Sequence, residues 1–251
     1  MTADGGGRIE YCGAARFVAA PFFCAGIAMK SQRELGVIFD MDGVLVDSAD
    51  AHWRSWRQLA EELGASDISR AAFQASFGRR SAEIVRGWFA VTDAGELSRL
   101  DARKEELYRT IIRECVPAMP GAVKLIEALH AAGALLAVGS SGPRENVVLI
   151  CEAMGVSRYF SVMVTGEEVH RGKPDPEVFL AAAHRLGLAP EHCVVVEDAP
   201  AGVEAARRAG MRAVGLSGLQ PAEALSAADL VVDRLDRLSA ETIFELVHPP
   251  G

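Results

Sequence analysis

The chain has 251 residues, half of them apolar and about a quarter charged, the balance of a soluble globular protein of one large or two modest domains. Asp and Glu outnumber Lys and Arg by 34 to 26, a net charge of −8, the wrong sign for a protein that holds nucleic acid by its phosphates. Five cysteines at 12, 24, 115, 151 and 193 form no Cys-x-x-Cys pair and suit reduced thiols in the cytoplasm, and the longest apolar run, Phe17 to Met29 broken by Pro21, is too short to span a bilayer.

Residues 1–34 are expected to stand outside the core. Gly5-Gly6-Gly7 is a flexible stretch, and Phe17 to Ala28 is an apolar run behind Arg8 and Arg16. A weak secretory signal is one reading, but Asp4 and Glu10 spoil its basic start. We prefer Met29 as the true first residue, with Met29 to Glu34 leading into the first strand. Leu35 to Phe39 is apolar without alternation, the pattern of a short strand buried on both faces.

Residues 47–116 carry no strand-like run. Trp53, Trp56, Leu59 and Leu63 mark one helical face that ends at Gly64; Leu97, Leu100, Leu107 and Ile111 mark another. The segment is expected to be an all-helical insertion, closed by Pro117 and Pro120-Gly121. Beyond it, strands are expected at Ala134 to Val138, Phe160 to Val164, Val194 to Val196, Arg212 to Leu216 and Leu230 to Val232, with helices at Gly121 to Ala132 and Gly202 to Ala209 between them. That alternation predicts an α/β core, a parallel sheet covered by helices on both faces.

In an open parallel sheet, ligands bind outside the carboxyl ends of the strands. Here those ends carry Asp40-Met41-Asp42-Gly43, then Ser140-Ser141-Gly142, then Lys173 in the third loop, then Glu197-Asp198. If the strands are parallel and adjacent, all of these groups converge. Two carboxylates about 4 Å apart repel by roughly 4 kcal/mol at an effective dielectric of about 20, and one lysine cannot offset several such pairs. A hard divalent cation such as Mg²⁺ can. Pro143, expected at the first helical position, and Pro200 each start a helix whose N-terminus favours an anion such as phosphate.

Taken in order, Asp40-Met41-Asp42-Gly43-Val44-Leu45-Val46-Asp47-Ser48, Ser140, Gly172-Lys173-Pro174-Asp175-Pro176 and Glu197-Asp198-Ala199-Pro200-Ala201-Gly202 resemble the four motifs of the haloacid dehalogenase superfamily. The resemblance covers about 35–216, and the insertion resembles the helical cap of the β-phosphoglucomutase-like branch. It implies a Rossmann-like core (35–46 and 117–248), a cap (47–116) that sets specificity, and a Mg²⁺-dependent phosphatase of small phosphorylated metabolites. It assigns Asp40 as nucleophile and Asp42 as general acid and base. Ser140, Ser141, Lys173 and Gly43 would hold the phosphoryl group. Asp40, Asp42 by its main-chain carbonyl, Asp198 and Glu197 would hold the metal. His52 and Arg80 are candidate substrate contacts; Arg79, Arg103 and Lys104 are weaker ones. A β-phosphoglucomutase is the alternative, disfavoured because Glu105 stands where that branch carries asparagine; a non-catalytic phosphate-binding protein is less favoured still. No nucleic-acid or membrane partner is expected, and a monomer is the default.

Overall fold

The computed structural model describes residues 34–76 and 81–249. The N-terminal extension with Cys12 and Cys24, and the candidates Arg79 and Arg80, lie outside the described residues.

Six strands, β1 (Gly36–Phe39), β2 (Leu135–Gly139), β3 (Phe160–Val164), β4 (Cys193–Glu197), β5 (Arg212–Leu216) and β6 (Leu230–Val232), form one parallel sheet in the order β3-β2-β1-β4-β5-β6. The chain steps from β1 through β2 to β3, then returns to place β4 on the other side of β1. The crevice between β1 and β4 is therefore the topological switch point, where open α/β sheets bind ligands.

Lack of alternation in the strands has the expected cause. Val37 and Phe39 enter a core built with Leu136, Val138, Val194 and Val196, while Ile38 enters a second core with Ala137, Val195 and Ala213. The first core is covered by α5 (Ala122–Ala131), α6 (Arg144–Ala153) and α9 (Ala240–Val247), the second by α7 (Glu177–Leu186) and α8 (Pro200–Arg208). Strand and helix expectations hold to within a residue or two. Pro143, expected at the first helical position, instead takes the N-cap place with ψ 155°, and α6 begins at Arg144. Pro200 does open α8.

Four helices lie between β1 and α5 among the described residues: α1 (Ala49–Glu62), α2 (Arg70–Ser76), α3 (Ser81–Phe89) and α4 (Ala94–Glu114). They share a core of their own, in which Trp56 and Leu59 of α1 meet Ile84 and Val85 of α3 and Leu97, Leu100 and Leu107 of α4. The next turns of α4, Tyr108, Ile111 and Ile112, belong to the core under the sheet. One helix thus spans both units. No helix of the described residues is long and apolar enough to cross a membrane.

Candidate active site

The first strand does not end its pairing at Phe39. The Asp40 amide donates to the Val196 carbonyl at 3.0 Å, so Asp40 is held against β4 with its carboxylate buried at the switch point. A tight turn follows, closed by Gly43 N–H to Val46 O at 2.8 Å and Leu45 N–H to Met41 O at 2.8 Å. Gly43 has φ +78°, and a Cβ there would overlap Asp198 Oδ2. Glycine at this position lets the loop after β1 lie directly on the carboxylate after β4.

Lys173 ties three segments together. Its Nζ donates to Asp40 Oδ1 at 2.7 Å, to Glu197 Oε1 at 2.6 Å and to the Gly139 carbonyl at 3.2 Å. The second Glu197 oxygen accepts from the amides of Asp198 and Ala199 at 2.9 and 3.0 Å, at the start of α8. Glu197 lies so close to that helix that a Cβ on Gly202 would overlap its carboxylate. Both Glu197 oxygens are thus engaged in holding Lys173 and the β4 loop. Asp198 differs: its Oδ2 is buried and has no hydrogen-bond partner among the described residues.

The electrostatics follow from this crowding. Burial, then Glu197 and Asp42, push the Asp40 carboxyl well above the usual carboxylate range despite the pull of Lys173. Burial, with Glu197 and Asp40, does the same to Asp198. Burial opposes the Lys173 charge, yet Asp40 and Glu197 outweigh it and raise the ammonium pKa. Oxygens of Asp40, Glu197 and Asp198 all lie within 4.8 Å of one another. Three carboxylates against one ammonium leave an excess of two negative charges, and an unpartnered buried carboxylate oxygen is costly. A divalent, oxygen-seeking cation fits both features.

Ser140 is buried at the end of β2, one residue beyond the carbonyl that Lys173 binds, and its Oγ accepts from the Gly142 amide at 3.0 Å. Ser141 is exposed at the loop tip. Asp42 points to the helical insertion. Its Oδ1 accepts from Ser48 Oγ at 2.5 Å and lies 3.2 Å from His52 Nε2. Burial would raise its pKa, but His52, Ser48 and Lys104 together hold it below the ordinary range.

His52, a candidate from sequence, is therefore brought to Asp42. Its other nitrogen, Nδ1, lies 2.8 Å from Lys104 Nζ, and its ring stacks on Tyr108 with centroids 4.0 Å apart. An ammonium can only donate, so Nδ1 accepts and the ring proton sits on Nε2, facing Asp42. Arg103 goes elsewhere: it pairs with Glu62 and Glu106 on an exposed face. Ser48, Tyr108 and Asn146 were not singled out from the sequence. Lys104 had a legible signal, a charge at helical spacing on the apolar stripe of Leu100, Leu107 and Ile111.

A family profile described as haloacid dehalogenase-like hydrolase matches residues 37–216. The chloroplastic 5-amino-6-(5-phospho-D-ribitylamino)uracil phosphatase of Arabidopsis thaliana is 33% identical over 207 residues, 82% of this chain, which spans 56% of that protein's length. Hexitol phosphatase A of Escherichia coli is 34% identical over 204 residues, 81% of this chain and 93% of its own. Among solved structures, a β-phosphoglucomutase from Clostridium difficile matches with a TM-score of 0.77 and 28% identity, covering 86% of this chain and 97% of that one.

Proposed function

The chain belongs to the haloacid dehalogenase-like hydrolases and is a phosphoric monoester hydrolase; we propose that it cleaves small phosphorylated sugars and polyols with Mg²⁺ through an aspartyl-phosphate. The observation that carries this reading is the bridge from Lys173, in the loop after β3, to Asp40 and Glu197, which joins that loop to the ends of β1 and β4 at the switch point.

In this reading Asp40 attacks phosphorus and the sugar oxygen leaves. Lys173 and Ser140 bind the phosphoryl oxygens, Lys173 as a compact charge fixed by Glu197. Asp42, an ionised acceptor in the free site, takes up a proton as the negative charge of the phosphate ester arrives beside it, gives that proton to the leaving oxygen and then takes one from the water that hydrolyses the intermediate. His52 and Ser48 orient Asp42. Asp40, Asp198 and the Asp42 carbonyl would hold Mg²⁺, which supplies positive charge against the incoming phosphate when bound. Residues 47–116 act as the cap over this edge, with residues 35–46 and 117–248 as the catalytic core.

A mutase reading draws support from the likeness to the Clostridium difficile enzyme. That reaction needs a place for a second phosphate, and the helical insertion presents the buried carboxylate of Glu105 beside Lys104. Hydrolysis is the better fit. The test is phosphate release, with Mg²⁺, from a panel of hexose, hexitol and pentose phosphates. Free phosphate from β-glucose 1-phosphate is expected; conversion to glucose 6-phosphate would favour the mutase, and no turnover of any ester would overturn both.

A further inference from the structure

We propose that Asn146 is a positioning residue that locks the helical insertion onto the core in the register that catalysis on sugar phosphates requires. The inference rests on the phosphatase reading above.

Asn146 lies in the first turn of α6, just after the loop that carries Ser140 and Ser141, and it is buried. Both ends of its amide are used, and both partners come from α4. Nδ2 donates to Glu105 Oε2 at 2.7 Å, and Oδ1 accepts from Arg109 Nη1 at 3.0 Å. Glu105 and Arg109 are four residues apart, so they project from one face of the helix. An amide is the side chain that meets a carboxylate with a donor and a guanidinium with an acceptor at once. Arg109 also pairs with the neighbouring Glu145 at 2.8 Å.

The grip continues inward. Glu105 Oε1 accepts from Lys104 Nζ at 2.8 Å and from Ser81 Oγ at 3.3 Å. Lys104 reaches His52, and His52 reaches Asp42. Every link from Asn146 to the acid and base group is thus a direct hydrogen bond. Burial would raise the Glu105 carboxyl, but Lys104, His52 and Asn146 hold it below its ordinary range, so it stays an acceptor. Breaking the link at Asn146 frees the part of the insertion that faces the leaving group. The phosphoryl side, made of Asp40, Ser140, Lys173 and Asp198, takes no bond from this chain of contacts.

The test compares two substrates. A sugar phosphate needs both a proton from Asp42 and a surface for its hydroxyls. p-Nitrophenyl phosphate has a leaving group that departs as an anion and carries no hydroxyls. Asn146→Ala is expected to lower kcat/KM for the best sugar phosphate at least about 10-fold and for p-nitrophenyl phosphate less than about 3-fold. Loss of folded protein alone would lower both equally. A complementary pair guards against misfolding of that variant. Asn146→Asp sets a carboxylate against Glu105, and Glu105→Gln alone offers either Asn146 or Lys104 the wrong atom. Together they fit again, because the new amide on α4 donates to the new carboxylate on α6 while the amide oxygen faces Lys104. The double variant is expected to recover sugar-phosphate activity to within about 5-fold of wild type, above either single variant. Equal losses on both substrates, no loss, or a double variant no better than the singles would overturn the proposal. A wild-type protein inactive on every ester would overturn the phosphatase reading, and this inference with it.

Discussion

Two side chains that are missing explain much of the site. Gly43 and Gly202 leave room where a Cβ would overlap Asp198 and Glu197 respectively, so the carboxylates after β4 can sit under the loop after β1 and against α8. Gly43→Ala meets both this overlap and the unfavourable φ of +78°. It is expected to cost about 1–2 kcal/mol in denaturant unfolding and to weaken Mg²⁺ binding about 10-fold or more by calorimetry; unchanged affinity would show that Asp198 does not hold the cation. Asp40→Asn keeps the size of the side chain and removes the nucleophile. Turnover of sugar phosphates should fall at least about 1,000-fold with circular dichroism unchanged, and near-normal turnover would end the assignment of Asp40.

Among the elements, α4 does the most joining. Its first half packs inside the helical insertion and its second half under the sheet, so its start is a place where stability can be altered without touching chemistry. Asp93 caps it by accepting from the Glu96 amide at 2.8 Å. Asp93→Ala is expected to lower stability by about 1 kcal/mol, or a Tm drop of roughly 2–4 °C, while KM for the substrate stays within about 2-fold; a large KM change would mean that the cap register depends on this turn. The same helix shows what a sequence can and cannot reveal. Its apolar stripe was readable, as were strands such as Leu35 to Phe39, because burial on both faces writes itself as an unbroken apolar run. The strand-end groups Asp40, Lys173 and Asp198 were readable because topology alone brings them together. Asn146 was not, since it is an ordinary polar residue on its own helix and gains its meaning from the helix opposite; Glu105 was legible only as a departure from the mutase pattern, and its bond to Asn146 was not. Pro143 was misplaced by one residue, because a proline with extended ψ serves as N-cap as well as it serves at the first helical position.

Taken together, the sheet order gathers negative charge at one edge, and the fold tolerates this only in part. Asp40 and Asp198 have carboxyl pKa values raised above those of an unfolded chain. From about pH 4 upward the metal-free folded state therefore holds more protons than the unfolded state, and stability falls as pH rises through that range. Carboxylates held low, such as Asp42 and Glu105, act in the opposite sense, but their effect is complete once the unfolded groups have ionised, by about pH 6. Between pH 6 and 8 the raised pair should govern the carboxylate contribution. Mg²⁺ binds the ionised carboxylates, so its stabilisation should grow with pH over the same window. At about 100-fold over its Kd the cation contributes about 2.7 kcal/mol, a Tm rise of roughly 5–10 °C for a chain of this size. Melting curves with chelator and with saturating Mg²⁺ at pH 6, 7 and 8 check this: the increment should widen with pH in the wild type and largely vanish in Asp198→Asn. An increment that stays flat across the window, or that survives in the variant, would place the cation elsewhere.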